Sequence, residues 1–354
     1  MNKLKPTHRT REWVIVFAIA LAVITYMDRV CISQASGNIQ RDLNLTKEDM
    51  SLVFAAFTLA YGLFEIPCGW LGDKFGPRQM LIRVVLMWSV FTAATGWAWN
   101  WTSMIVCRFL FGAGEAGCFP NITKAFTIWL PKNERVRVQG LMWLSARWGG
   151  ALTPLVVVWV LQFVSWRWAF GMFGTLGVVW AVVFYRWFRD DPREHPSMTP
   201  EELALLDGAE HNAPGRDGVP WKRLLTSPNI WLLWLPFFCM NYGWYFYITW
   251  LPTYLREARG VSLTKGAMLA GLPLLIGGRF AGTLSGSMNM MGQVGGTLCP
   301  IAVAQILKYT NNNWVIAFWV AATVYAIGAV CWIFIDPVTP LDEPLTELAW
   351  SLHN

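Results

Sequence analysis

Charge is what this chain lacks. Of its 354 residues only 14% are charged while 55% are hydrophobic, and a soluble chain carries roughly 25% charged residues. That scarcity excludes a free-standing soluble domain. Histidine is equally sparse: four residues, with no metal-ligand spacing and no nucleophile motif beside them, leave nothing to carry catalysis. No enzyme, metal site or cofactor is therefore expected. The cysteines at 31, 68, 107, 118, 239, 299 and 331 are scattered through apolar runs without a CxxC pair, and read as small apolar filler. The N-terminal stretch, polar and basic from Lys3 to Arg11, leads into a run that itself holds charges. That is unlike a cleaved signal peptide, so the first span is expected to be retained.

What is present is long apolar sequence. Runs at Trp13 to Ala35, Ser51 to Leu71, Met80 to Trp99, Thr102 to Trp129, Val138 to Leu161 and Trp168 to Trp187 read as six helices long enough to cross a bilayer. A polar, proline-bearing stretch from Arg189 to Arg223 divides the chain and holds a short helix candidate at Thr199 to Leu206. Four further runs follow at Asn229 to Leu255, Gly266 to Gly278, Phe280 to Leu307 and Trp314 to Ile335. The expectation is an all-α, polytopic membrane protein with about ten transmembrane helices, a likeness to about 20 residues per span setting the count. Its parts are an N-terminal six-helix bundle over 1–188, a central loop over 189–228, a C-terminal bundle over 229–338 and a tail over 339–354.

The net charge of +6 comes mostly from Lys and Arg in short turns, at 3–11, 73–78 and 132–137, and in the central loop. These read as topology signals that put both termini in the cytoplasm of a plasma or bacterial inner membrane, with no nucleic-acid partner. Thr46 and Asp49 have the spacing of a capping box that would open the second helix on the far side.

Against this background the charges inside spans stand out. Arg108 and Glu115 lie in one otherwise apolar run, and seven residues separate them by about 10.5 Å along a helix axis on one face. Asp28 and Arg29 lie in the first run. An ionised side chain in the hydrocarbon core costs at least about 2.5–3.5 kcal/mol, so such groups face a bundle interior or a water-filled cavity. A static ion pair fastening two helices is the blander reading, but apolar packing does that without burying charge.

Between the second and third spans the chain reads Gly69-Trp70-Leu71-Gly72-Asp73-Lys74-Phe75-Gly76-Pro77-Arg78. This resembles the cytoplasmic signature of the major facilitator superfamily. The resemblance implies a fold of two helical bundles, in which Gly69, Asp73, Lys74, Gly76 and Arg78 form a latch that favours the outward-open state. Tyr26-Met27-Asp28-Arg29, Tyr61 with Phe64-Glu65-Ile66-Pro67, Arg108 to Glu115, Trp250 to Tyr254 and Gly286 to Gly292 together are similar to the anion:cation symporter branch. That branch holds proton-coupled carriers of galactonate, glucarate, hexuronates and related organic acids.

The resemblance implies a monomeric symporter whose partners are a small organic anion, most simply a sugar acid, protons and the bilayer. Guanidinium groups suit a carboxylate in a dry cavity because they are planar, bidentate donors that keep their charge. Arg29, Arg108 and Arg147 are the candidates, with Arg147 favoured for the cavity over the interface because it lies well inside its span. Asp28 and Glu115 are the proton-coupling candidates: an acid paired with Arg108 stays ionised, and an acid whose arginine turns to the substrate takes a proton. Such protons would offset the potential, about 2.3 kcal/mol per charge per 100 mV. Tyr61, Asn241, Tyr242 and Asn289 are the neutral substrate contacts, although simple packing serves Tyr242 nearly as well. Glu65 fits a gate as readily as the substrate. An uncoupled exchange carrier and a transport-inactive sensor or shortened form remain alternatives.

The resemblance breaks near 278–279. The branch has twelve spans, and the resemblance implies that between Gly278 and Arg279 about 80 residues, the rest of the eighth helix, the ninth and tenth helices and their loops, are missing. This reads as an internal deletion that puts transport by the chain itself in question, because alternating access rests on two comparable halves.

Overall fold

The computed structural model describes residues 10–206, 228–257 and 284–331. Within them the protein is helical, with no strand among the described residues. A 3₁₀ turn at Thr10–Glu12 leads into α1 (Trp13–Leu43), followed by α2 (Lys47–Phe75), α3 (Pro77–Gly96), α4 (Trp101–Glu115), α5 (Cys118–Trp129), α6 (Lys132–Val160) and α7 (Trp166–Trp187). A short α8 (Pro200–Ala204) lies in the chain that follows. The second half contributes α9 (Pro228–Tyr245), a π turn (Phe246–Trp250), α10 (Leu251–Glu257), α11 (Leu284–Tyr309) and α12 (Trp314–Cys331). The run Gly266 to Gly278 and the junction at 278–279 lie outside the described residues.

Among the described residues five stretches, Thr10–Leu43, Lys47–Gly72, Pro77–Gly96, Lys132–Val160 and Trp166–Trp187, are long and apolar enough to cross a membrane. The fourth apolar run differs from its expected form. Instead of one helix from Thr102 to Trp129 it makes two, α4 and α5, broken at Ala116 and Gly117. Gly112, Gly114 and Gly117 crowd this region, and each weakens a helix by about 0.8–1.0 kcal/mol relative to alanine. The break leaves Glu115 at the end of α4, inside the bundle.

The helix ends obey local chemistry. Thr46 accepts from the Asp49 backbone N–H while Asp49 Oδ2 accepts from the Thr46 N–H at 3.0 Å, the reciprocal cap expected for α2. Asn100 and Ser103 repeat the device at α4. Thr199 caps α8 through the Glu202 N–H.

In the first half α1 packs on α6, α3 on α7 and α2 on α4; in the second, α9 packs on α11 and α12. The halves join chiefly where α2 runs against α11. One end of the bundle is basic, with the α2–α3 and α5–α6 turns. The other carries exposed aromatics, Trp97, Trp99, Trp159, Phe163 and Trp168, as a membrane-interface belt requires.

At the basic end the chain leaving α7 folds back onto the bundle. His195 packs against Trp129 (5.5 Å) and Trp187 (4.9 Å). Thr10 Oγ1 donates to the Ser197 carbonyl at 2.7 Å, the Arg11 N–H donates to Glu202 Oε1, and Arg11 pairs with Glu134 at 2.6 Å. Burial and the nearby Arg189 hold the His195 imidazole below its ordinary 6.5, against the pull of Glu202. The native state thus binds fewer protons than the unfolded chain in the window just below pH 6.5, so docking is favoured above that window and weakened as pH falls through it. Melting in detergent is expected to drop between pH 7.5 and 5.5 for the native chain and to drop less for His195→Gln; equal drops would exonerate the histidine.

Candidate functional site

Two helices, α1 and α4, bring the buried charges together. Glu115, 0% exposed, accepts from Arg29 Nε at 2.7 Å, an ion pair between α4 and α1. The Arg29 guanidinium lies over the rings of Tyr61 (4.5 Å), Tyr26 (5.3 Å), Phe57 (5.4 Å) and Phe119 (5.7 Å). Such an aromatic cage holds a cation without neutralising it. Arg108, 1% exposed, lies against the rings of Phe111 at 4.2 Å and Phe57 at 5.2 Å, within reach of the Glu115 and Asp28 charges. Its Nε and Nη1 donate no hydrogen bond, and neither does Arg29 Nη2. Asp28 is buried on the same helix as Arg29, and both of its oxygens lack a hydrogen-bond partner.

This corrects the pairing read from spacing. Glu115 binds Arg29 across helices, not Arg108 on its own helix. Seven residues separate Arg108 and Glu115 by about 10.5 Å along an axis, whereas the break after Glu115 turns its carboxylate towards α1.

A cavity of about 20 Å³ lies against both arginines. Arg29 and Arg108 form its charged wall, Ile32, Phe54 and Phe57 its apolar wall, and Ser33, Tyr245 and Thr249 its hydroxyl wall. That space holds little more than a water, so a ligand of several carbons requires the helices to part. Tyr61 is fully buried under Arg29 rather than on the cavity. Arg147 lies on α6 and is outside the lining. Asn241 packs against Gly292, where a Cβ would collide with its amide, in the α9–α11 contact. Tyr242 is buried in the core. Asn289 falls in α11, and its side chain lies outside the described residues.

The second half instead contributes Tyr245 and Thr249, one and two turns beyond Asn241 on the same face. Sequence reasoning missed both. They sit at the π turn, where Pro252 has no N–H for the residue 248 carbonyl and the helix widens. Pro252 was the available signal.

The halves are tied at the end opposite the basic one. Lys47 Nζ pairs with Glu257 at 2.6 Å and donates to Asn312 Oδ1 at 3.0 Å, Lys308 reaches Glu48 at 3.8 Å, and deeper in the bundle Thr58 and Thr297 share a hydrogen bond of 2.9 Å.

A family model described as Major Facilitator Superfamily matches residues 18–290. The chain belongs to the major facilitator superfamily. It is 36% identical over 312 residues to the probable sulfoacetate transporter of Cupriavidus necator, covering 87% of this chain and 68% of that protein. It is 32% identical to the probable L-galactonate transporter of Escherichia coli, covering 86% and 66%, and 30% identical to the hexuronate transporter of Bacillus subtilis, covering 77% and 63%. The chain thus spans about two thirds of the length of these relatives. Among solved structures it resembles a bacterial homolog of the human lysosomal transporter Spinster, in an inward-facing and unoccupied conformation, with a TM-score of 0.61 at 18% identity over 92% of this chain and 80% of that one. The likeness shows the fold: a multi-pass membrane bundle.

In this facilitator the signature turn is held from within its own half. Gly76 takes φ +82°, which only glycine adopts without strain, and the Asp190 carboxylate packs 3.1 Å from where its Cβ would be. Asp190 Oδ1 accepts from the Arg78 N–H at 2.9 Å, and the Arg78 guanidinium donates to the Tyr185 carbonyl at 2.6 Å. Burial raises the Asp190 carboxyl above its ordinary range, against the Arg78 N–H and the Arg78 and Lys124 charges. Lys74 lies over Trp70 and Phe75, each at 5.5 Å. The side chain of Asp73 lies outside the described residues. Gly69 has ordinary room, 3.6 Å from Pro120 Cβ; the closer approach is at Gly72, whose Cβ would collide with the Asn121 amide. Lys124 Nζ donates to the Gly72 carbonyl at 3.0 Å.

Proposed function

We propose that this chain is a proton-coupled symporter that carries a small organic anion, a sugar acid, across a plasma or bacterial inner membrane as a monomer with both termini in the cytoplasm. The observation that carries the reading is the pair of buried arginines that line one cavity and keep unused donors. A buried donor without a partner costs about 1–3 kcal/mol, more when charged, and a carboxylate relieves it. The names of the relatives, carriers of L-galactonate, hexuronate and sulfoacetate, support an anionic substrate.

Coupling follows from competition for arginine. With Glu115 ionised, Arg29 is held; when the substrate carboxylate takes Arg29, the released Glu115 sits in a dry bundle and takes a proton. Asp28, buried without a hydrogen-bond partner, supplies a second protonation site. Arg147 would join the carboxylate only as the cavity opens, and Tyr61, Asn241, Tyr242 and Asn289 would meet the sugar hydroxyls in that widened state. The polar ties at Lys47, Glu48 and Thr58 fit a conformation closed at the far side, with the signature turn of Gly69, Asp73, Lys74, Gly76 and Arg78 acting as the latch of the opposite state.

The test is uptake of labelled sugar acids into proteoliposomes under an imposed inward proton gradient. Accumulation that collapses when the gradient is dissipated supports symport. Uptake indifferent to the gradient favours exchange. Monodisperse protein that binds but does not transport supports a shortened, inactive form; restoring about 80 residues at 278–279 should then return turnover.

A further inference from the structure

The three hydroxyls on the cavity all face it with the same polarity. Ser33 Oγ donates to the Val30 carbonyl at 2.8 Å and Thr249 Oγ1 donates to the Tyr245 carbonyl, each within its own helix. Tyr245, 5% exposed, donates its phenolic proton to Gln293 Oε1 at 3.0 Å, across from α9 to α11. Gln293 is itself 3% exposed. A hydroxyl whose proton is committed offers only lone pairs. Ser33, Thr249 and Tyr245 therefore make a wall of acceptors, opposite a wall of donors on Arg29 and Arg108.

We propose that Gln293 is a specificity-determining residue: by taking the Tyr245 proton it fixes the neutral wall as an acceptor surface, so the site selects an anion that carries O–H donors beside its single acid group and rejects one with a second anionic end. The inference rests on the organic-anion reading above and deepens it. A hydroxy monoacid satisfies both walls at once. A second carboxylate or a sulfonate brings further acceptors to a wall that already has only acceptors, and buried lone pairs facing one another go unsatisfied. The substrates named for two of the relatives differ on this point, since L-galactonate has one acid group and many hydroxyls whereas sulfoacetate has two acid groups and none. The acceptor wall sides with the former. Gln293 acts through Tyr245 and is a positioning residue; Tyr245 is the contact.

The experiment is equilibrium binding of D-gluconate and of sulfoacetate to purified full-length protein in detergent, which needs no turnover. The native chain is expected to bind gluconate more tightly by about tenfold, the worth of one hydrogen bond. Gln293→Met frees the Tyr245 proton to face the cavity, and should shrink that ratio to about threefold or less, mainly by tightening sulfoacetate. Tyr245→Phe removes the acceptor, so it should weaken gluconate by about tenfold while leaving sulfoacetate bound no more weakly than in the native chain, and decides the matter if Gln293→Met does not fold. Native protein that binds sulfoacetate as well as gluconate, or a folded Gln293→Met with an unchanged ratio, overturns the proposal while leaving the anion site standing. Folded native protein that binds neither overturns the anion reading and this proposal together.

Discussion

Glu115→Gln is expected to reduce gradient-driven uptake by at least about 100-fold, some 2.7 kcal/mol in transport terms, while exchange of internal for external anion continues. Glutamine keeps the shape of the side chain and an oxygen for Arg29 Nε, so the bond of 2.7 Å has a replacement acceptor. What it loses is the charge that alternates with a proton. The substitution leaves Arg29 as a buried cation without its counterion, and breaking a buried pair in this way typically destabilises by about 3–5 kcal/mol. The rings of Tyr61, Tyr26, Phe57 and Phe119 around the guanidinium offset part of that, at about 0.5–2 kcal/mol for a desolvated contact. Folded protein, checked by gel filtration, is therefore expected. Counterflow separates the outcomes: lost accumulation with retained counterflow places the proton on Glu115, whereas full accumulation by Glu115→Gln would remove that residue from coupling and leave Asp28 as the acid to test.

Sequence and structure agree where the signal is local and diverge where a partner lies on another helix. The Thr46–Asp49 cap, the short helix after Thr199 and the helices themselves follow from spacing, capping chemistry and hydrophobicity, all of which act within a few residues. The partner of Glu115 does not. A helical repeat reports which residues share a face of one helix, and Arg29 comes from another. The break after Glu115 was written in its glycines, but an apolar run of that length reads equally well as one span. Tyr245 and Thr249 are aimed by a π turn, and among 9 tyrosines in a chain with 15% aromatics nothing marked one of them as a cavity residue. Asp190, which holds the signature turn, lies outside the motif that resembles the superfamily. Motif matching finds the turn but not the carboxylate that folds back from beyond α7 to meet it.

Arg108 offers the other large effect, and it has two opposite signs. Its guanidinium is 1% exposed, against the rings of Phe57 and Phe111, and its Nε and Nη1 donate no hydrogen bond. A charge held this way is expensive to bury, and replacing it with an apolar side chain of similar length removes the expense. Arg108→Met is thus expected to melt at a higher temperature than the native chain and to lose anion binding by at least about 100-fold, because truncating one partner of a buried charged contact costs about 2–5 kcal/mol. Arg108→Lys keeps the charge but not the planar pair of donors, and an ammonium is more strongly hydrated. It should recover little of the affinity. Melting curves and binding titrations on the same preparations read both signs at once. A lysine variant that binds within about threefold of native would mean that Arg108 supplies only field, not directed hydrogen bonds. A methionine variant that melts lower would mean that the guanidinium holds the helices together, as a fastener and not as a receptor. Raised stability with abolished binding is the signature of a group kept unsatisfied for its ligand, since strain of this kind persists only where an anion relieves it.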